Sequence, residues 1–539
     1  LGRLVDWYRH GVDAAVRTLD PEAVRLPLAT AEPLATSGEA LAWLDAELAG
    51  LVAVARLAAD RGSAGNAADH SPAEYTTTRT AADRGSRGFA ADRGPAEGAA
   101  GLATNRGPAE DTAGLAADRG PAETAARPAA DHSPARIAWQ LTASLRLYFW
   151  RRMCTVEWLA IATAGLDAAT AAGDLPGQAA ATLCLADLHR LHGRYRVAID
   201  HYTRAAALAR SGGWLDGAAV ALSNLGTAHF WLGDLAQAAE HYRQGLDVAV
   251  STGRVAGEAN TLGNLGLVYE LQGELGRAVE HHGRALALHR RIGARQKEAV
   301  NLANLADTYH QLGRLDVAYD HITQALTLHR EVGDRGAEAE SLRILAGIWL
   351  DQGKHDRALD RAVEAVALAT ETGHLPIKTN ALNTLGTVRL RRGQAGARDE
   401  HEHALRLARA AGTLYAEVVA LTGLAACLLH DDPDRARTLA EHALAETGRV
   451  AFRIAAAEAL TVLLQIHLHT GDHERAAAYG HHALALHRTT GHRLGEARTA
   501  LLLGHVLEPA AAQAAWRRAA TLFTDIGVPE AAEARALLS

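Results

Sequence analysis

Twenty-eight histidines stand among the 539 residues, and four of them, His201, His241, His281 and His321, recur at a 40-residue step. Imidazoles at regular spacing could ligate zinc or a related metal. A repeat argues against one shared ion, because equivalent positions on packed helices lie about 8–10 Å apart whereas a metal holds its nitrogens at about 2 Å. The adjacent pair His281-His282 points to different faces of a helix. His401-Glu402-His403 and His473-Glu474 lack the second ligand of an H-E-x-x-H helix. The one Gly-Lys pair, Gly353-Lys354, is followed by His355 and not by the Ser or Thr of a phosphate-binding loop, and no G-x-S-x-G elbow occurs. The expectation is no metal site, no cofactor in this chain and no catalysis.

The histidine step is one of several. Leu185, Leu225, Leu265, Leu305, Leu345 and Leu385 stand 40 residues apart, followed at nearly that step by Leu424, Leu463 and Leu503. A glycine ladder, Gly193 to Gly393, and an alanine ladder, Ala198 to Ala512, run in register with it. Within one unit, Leu262, Leu265, Gly266 and Tyr269 fall on one face of a helix that Gln272-Gly273 ends. A second helix is expected from about Leu275 to Arg291, with Ala278, His282 and Ala285 pressed against the first. Each unit is therefore a helical hairpin, and the chain is a stack of them.

The pattern L-G-x-x-Y, a Gly turn, then Ala-x6-Ala resembles the tetratricopeptide repeat, with a longer unit like that of kinesin light chains and LGN-like adaptors. That resemblance implies an all-α fold, a right-handed superhelical solenoid of antiparallel helix hairpins with mostly a 40-residue period. A solenoid is expected to bury its apolar surface between neighbouring repeats.

Net charge is −7, with 55 basic and 62 acidic residues interspersed, so no basic stripe offers itself to nucleic acid. Three scattered cysteines, Cys154, Cys184 and Cys427, suit a reducing, cytoplasmic setting better than a disulfide framework. No apolar run approaches the roughly 20 residues that span a bilayer. Residues 1–60 read as a helical linker region, with Ser37 as the N-cap of its second helix. Residues 61–131 repeat variants of A-A-D-R-G-P-A-E and are expected to be disordered. Residues 132–178 read as a divergent first hairpin, with Trp139, Leu141, Leu145, Tyr148 and Phe149 in one helix and Val156, Trp158, Leu159 and Leu166 in the other. Residues 179–539 read as about nine repeats, the last a shortened cap. The chain opens without a methionine and in a running helix, which suggests a preceding part.

The stretches Leu1-Gly2-Arg3-Leu4-Val5-Asp6-Trp7-Tyr8 and Ala40-Leu41-Ala42-Trp43-Leu44-Asp45-Ala46-Glu47-Leu48 are similar to the junction that follows the nucleotide-binding (NB-ARC) and winged-helix modules of actinobacterial AfsR/SARP-type regulators. The joint Gly333-Asp334-Arg335-Gly336-Ala337-Glu338-Ala339 also matches that family, while Gly50 departs from its usual Asn. The resemblance implies the sensor arm of a STAND-type transcriptional switch. ATP or ADP would bind only in a preceding module, and a peptide or protein would bind the concave face of the repeats, with no direct contact to nucleic acid or membrane. The repeat family's ligand positions on the first helix correspond here to Thr227, Asn260, Glu270, Asp307, His310, Arg343 and Asn383. They lack the Lys-Asn-Arg set of a carboxylate clamp. The alternative is a free-standing adaptor without nucleotide control.

Overall fold

The structure, a computed structural model, describes residues 2–19, 36–66, 134–152 and 154–539. Of the stretch 61–131, expected to be disordered, residues 61–66 continue α2, and 67–131 lie outside the described residues. Over the described residues the fold is all-α. It opens with α1 (Gly2–Leu19), α2 (Ser37–Asn66), α3 (Pro134–Arg152) and α4 (Thr155–Ala171). Hairpins follow: α5/α6 (Leu175–Leu191, Tyr195–Ser211), α7/α8 (Leu215–Trp231, Leu235–Ser251), α9/α10 (Val255–Leu271, Leu275–Arg291), α11/α12 (Arg295–Gln311, Leu315–Glu331) and α13/α14 (Arg335–Asp351, His355–Glu371). Next come α15/α16 (Leu375–Arg391, Ala397–Ala411), α17/α18 (Leu414–Leu428, Pro433–Val450), α19/α20 (Arg453–His469, His473–Thr490) and α21/α22 (Arg493–Leu503, Pro509–Ile526), then a short α23 (Glu530–Ala536).

The residue ladders are explained by one hairpin. Gly273 adopts φ +72°, the left-handed conformation that costs glycine least, and its N–H donates to the Glu270 carbonyl at 2.9 Å while the Glu274 N–H reaches the Tyr269 carbonyl at 2.7 Å. The chain can then reverse into α10, whose Ala278, His282 and Ala285 are fully buried. His282 lies over Gly266: a Cβ there would stand 2.5 Å from the ring. Gly386 and His401 repeat the arrangement, and α19/α20 inverts it, with Leu464 on the first helix meeting Gly480 on the second. Large and small residues alternate across the hairpin because the two helices are close. Gly266→Ala is therefore expected to cost about 1–3 kcal/mol by overpacking, despite the gain in helix propensity. Gly283→Ala, which meets open space in the same hairpin, should gain about 0.5–1 kcal/mol. Thermal denaturation at 222 nm checks both signs.

The histidine ladder is a stacking position. His201 stacks on His189 and His241 on His229, with ring centroids 5.2 Å apart in each pair, and His281 and His321 meet Tyr269 and Tyr309. The Gly-Asp-Arg joint also has a use for each residue. Asp334 caps α13 by accepting from the Ala337 N–H at 3.0 Å, Arg330 donates to Glu338 at 2.7 Å, and Arg335 reaches Glu371 of the same hairpin at 2.7 Å. The Arg-to-Glu clasp recurs as Arg290–Glu298, Arg409–Glu417 and Arg488–Glu496. Its arginines are half exposed, so each clasp contributes roughly 0.2–1 kcal/mol and orders the joint more than it stabilises the chain.

By internal contacts the chain forms two units. The described residues of the first run to Ala228 and include Asp247–Arg254; the second comprises His229–Leu246 and Val255–Ser539. In the first, α1 and α2 share a core with α3, α4 and α5: Tyr8, Val12, Leu44 and Leu51 pack with Leu145, Tyr148, Trp158 and Leu188. The α2 cap is Thr36 and not Ser37. Its Oγ1 accepts from the Glu39 N–H at 3.2 Å and its own N–H donates to the Glu39 carboxylate at 3.1 Å, a reciprocal capping box. Val156, expected inside, is 76% exposed, because Trp158 and Ile161 occupy the inward face of α4. Asp187, on α5, is fully buried: it accepts from Tyr202 (2.5 Å) and Asn224 (3.1 Å) and pairs with Arg146 of α3, while Arg190 donates to the Tyr202 oxygen at 3.0 Å.

The second unit departs from a simple stack. Leu235, Leu275 and Leu315, the first residues of α8, α10 and α12, are 1–3% exposed. Leu235 shares a core with Val418, Leu421 and Phe452, and Leu315 with Leu494, Phe523 and Ile526. Gly233 abuts Val450, Gly273 abuts Thr490, and Gly313 abuts Ile526. The unit is thus a coil whose later hairpins pack against the turns of earlier ones, and the expectation of a core confined to neighbouring repeats is corrected. The physical reason is that these turn edges carry leucine where an outer edge would carry a polar residue.

Candidate functional site

Counting back from Glu270 in steps of three, four and three gives Leu267, Gly263 and Asn260, one stripe of α9. The same register on α11 and α13 holds Asp307 with His310, and Glu340 with Arg343. In the coil of the second unit this stripe faces inward, and two connected groups of charges result.

In the first group, Arg343 donates to Asp307 and to Glu340, each at 2.8 Å, and Glu270 accepts from Thr308 (3.0 Å) and Gln311 (2.7 Å). Burial, and then the charge of Asp307, pushes the Glu270 carboxyl above the usual carboxylate range. Burial alone would lower the Arg343 pKa, but Glu340 and Asp307 outweigh it and hold the guanidinium charged. Tyr415 of α17 faces this group: burial and the charges of Glu458, Asp307 and Glu270 raise its phenol. Glu458 of α19 is pushed up to about 7, first by burial, yet it and Tyr415 keep solvent access. Side chains surrounded by protein and still reached by water line the inner side of the coil, its lumen.

In the second group, Asp351 accepts from Arg391 and Arg498, both at 2.7 Å, and lies 2.7 Å from His310 Nε2. Glu530 accepts from the same two arginines at 2.8 Å. Burial opposes the charge on Asp351, but Arg498, His310 and Arg391 outweigh it and hold its carboxyl well below the usual range. Gly347 makes room for this network, since a Cβ there would come within 3.1 Å of the His310 ring.

Of the residues expected on the concave face, the structure brings Glu270, Asp307 and Arg343 into the first group and His310 into the second. Asn260 is exposed on the same stripe. Thr227 belongs to the first unit, where its hydroxyl donates to the Ser223 carbonyl at 3.1 Å. Asn383 is a correction: it is 3% exposed, donates to the Ala416 carbonyl at 3.1 Å and sits 3.2 Å from His401 Nδ1, so it braces α15 against α16 and α17 and offers nothing to a ligand. Sequence reasoning missed Glu340, Asp351, Arg391, Tyr415, Glu458, Arg498 and Glu530. Glu340 lies on the register and could have been found from it. Arg498 and Glu530 lie in the irregular last repeat, where no ladder points to them.

The three cysteines are free, and the thiols of Cys184 and Cys427 are pushed up to about 12 and about 11 by burial, which disfavours thiolate chemistry. Among the described residues no group of three or more His, Cys, Asp or Glu could hold a metal ion, and no helix is long and apolar enough to cross a membrane. What the lumen offers is polar recognition.

Among solved structures, the chain is similar to a Rap protein complexed with competence and sporulation factor, at 15% identity and a TM-score of 0.48 over 64% of this chain and 98% of that one. It is similar to the Rap conjugation gene regulator of plasmid pLS20 in complex with the Phr* peptide, at 14% and 0.45, over 66% and 95%. It is also similar to a STAND protein with a tetratricopeptide repeat sensor from Pyrococcus horikoshii, at 14% and 0.39, over 66% and 55%. No curated protein matches the chain. Residues 215–375, which span α7 to α14 and hence most of the first charged group, match the family described as MalT-like TPR region.

Proposed function

We propose that this chain is the protein-interaction and signal-sensing arm of a STAND-type transcriptional regulator of the AfsR/SARP kind. A peptide or protein partner binds the inner face of the repeats, and its binding controls a nucleotide-binding module elsewhere in the natural protein, in the cytoplasm. One observation carries the reading: consecutive first helices within the matched region present Asn260, Glu270, Asp307, His310 and Arg343 in one register along a water-accessible lumen. The other faces of α11 and α13 are apolar and packed in the core. A ligand shifts such a switch only by binding one state better than the other, so the partner must engage the stripe more strongly when the arm is released.

The test is the native polypeptide in its source cell, by immunoblot against the repeats and N-terminal peptide mapping. The proposal expects a product longer by roughly 300 residues or more, two to three ordinary domains, with a P-loop in the added part. A product near the 56.9 kDa of this chain would replace it with the free-standing adaptor.

A further inference from the structure

We propose that the last hairpin with the turn that leads into it, and α23, residues 491–536, act as a latch that holds the coil of the second unit shut over the His310 end of its lumen. Its ionic part is a square of alternating charges: Arg391 and Arg498 each bond both Asp351 and Glu530 at 2.7–2.8 Å. Asp351 ends α13 and Arg391 ends α15, whereas Arg498 and Glu530 lie on α21 and α23. The square therefore joins early hairpins to the last one. Its apolar part is made at turn tips. Ile526 meets Gly313, Pro529 meets Gly353, and Leu312 meets Gly491, where added Cβ atoms would stand 3.1, 2.9 and 3.5 Å from their partners.

Three features make this contact a latch and not one more repeat interface. The square is partly wet, with Arg391 28% and Arg498 31% exposed, so water and salt compete for its charges. It touches turn tips and helix ends and is not packed along helix lengths. Every hairpin it joins keeps its own neighbours when it parts: α13 packs on α14 and α15, and α21 on α20 and α22. Opening therefore frees the turns at Gly313 and Gly353 and the His310 end of the stripe without unfolding a repeat, while Leu235 and Gly273 keep their contacts with later hairpins. Its bearing on binding rests on reading the lumen as the partner face; the latch itself rests on the contacts alone.

The test uses the whole chain with Asp351→Asn and Glu530→Gln together, read by hydrogen exchange mass spectrometry and small-angle scattering. The latch predicts at least tenfold faster exchange in the turns 311–316 and 351–358, a larger radius of gyration, and unchanged exchange in α5 and α6. Wild-type protein in high salt should move the same way. Unchanged exchange in those turns, or faster exchange throughout 255–536, would overturn the latch. A locked form, Leu312→Cys with Gly491→Cys bridged by a short bismaleimide in a Cys154→Ser, Cys427→Ser background, should keep the slow exchange even when Asp351 and Glu530 are replaced; fast exchange in it would also overturn the latch. Equal capture of random heptapeptides by open and locked forms would leave the latch standing and remove the lumen as the partner face.

Discussion

Asp187→Ala is expected to unfold the first unit under conditions that leave the second unit helical, at a cost of about 3–5 kcal/mol. The carboxylate is fully buried and is the shared acceptor for Tyr202, Asn224 and Arg146, with Arg190 one hydrogen bond away through the Tyr202 oxygen. Burial opposes the charge on both guanidiniums, yet Asp187 and Tyr202 hold them above the ordinary arginine value. Removing the carboxylate takes from the Arg146 guanidinium its ion-pair partner and from the Tyr202 phenol its acceptor, and breaking a buried pair by removing one partner costs more than the pair ever contributed. Tyr202→Phe deletes only the bridging hydroxyl and should cost about 1–3 kcal/mol. Because Arg146 belongs to α3, both variants should loosen α3 and α4 first, which hydrogen exchange resolves by segment. A loss below about 1 kcal/mol for Asp187→Ala would mean that water already solvates the cluster.

Mild acid is the second large lever. His282, His289, His401 and His487 are at most 2% exposed, and burial drives their folded pKa values down to about 3, 4, 4 and 4. In the unfolded chain such groups titrate near 6.5. The sign follows from linkage: between 6.5 and the folded values the unfolded state binds more protons, so stability is complete above 6.5 and falls as pH drops through that window. Each pH unit of displacement is worth about 1.4 kcal/mol per group. One such histidine therefore removes roughly 3–5 kcal/mol when the window is crossed, against a whole-domain stability of about 5–15 kcal/mol. Glu270 and Glu458 act in the opposite sense. Their folded values are raised, so they bind protons in the native state first and relieve repulsion as pH falls. Two carboxyls with access to water do not offset four enclosed imidazoles. Tm should fall steeply between pH 6.5 and 4.5, and His282→Phe should flatten that slope while conserving the ring volume over Gly266; an unchanged slope would contradict the assignment.

The hairpins were legible because the same physical demand recurs: a left-handed turn asks for Gly273, a close crossing asks for Gly266 opposite His282, and a joint asks for Asp334. Repetition makes such demands visible. The site was legible only in part. Register placed Glu270, Asp307 and Arg343 on one stripe, but helix rotation against the next repeat decides whether a register position faces the lumen, and it turned Asn383 inward to His401. The closing of the coil was hidden, since its contacts join residues far apart and use an irregular last repeat. Leu235, Leu275 and Leu315, apolar at a turn edge, were its one trace. Asp187 was hidden for a related reason: a single acidic residue in an apolar helix does not name its partners.

The central claim, that a partner seats inside the coil of the second unit, is tested most directly by photo-crosslinking in the source cell. Benzoylphenylalanine replaces Asn260, exposed on the lumen stripe, or Val363, 46% exposed on α14. The account predicts a discrete adduct from position 260 that disappears when Asp307 and Arg343 are both changed to Ala, and no such adduct from position 363. An adduct from 363 alone, or one from 260 that survives loss of both charges, would place recognition elsewhere on the molecule.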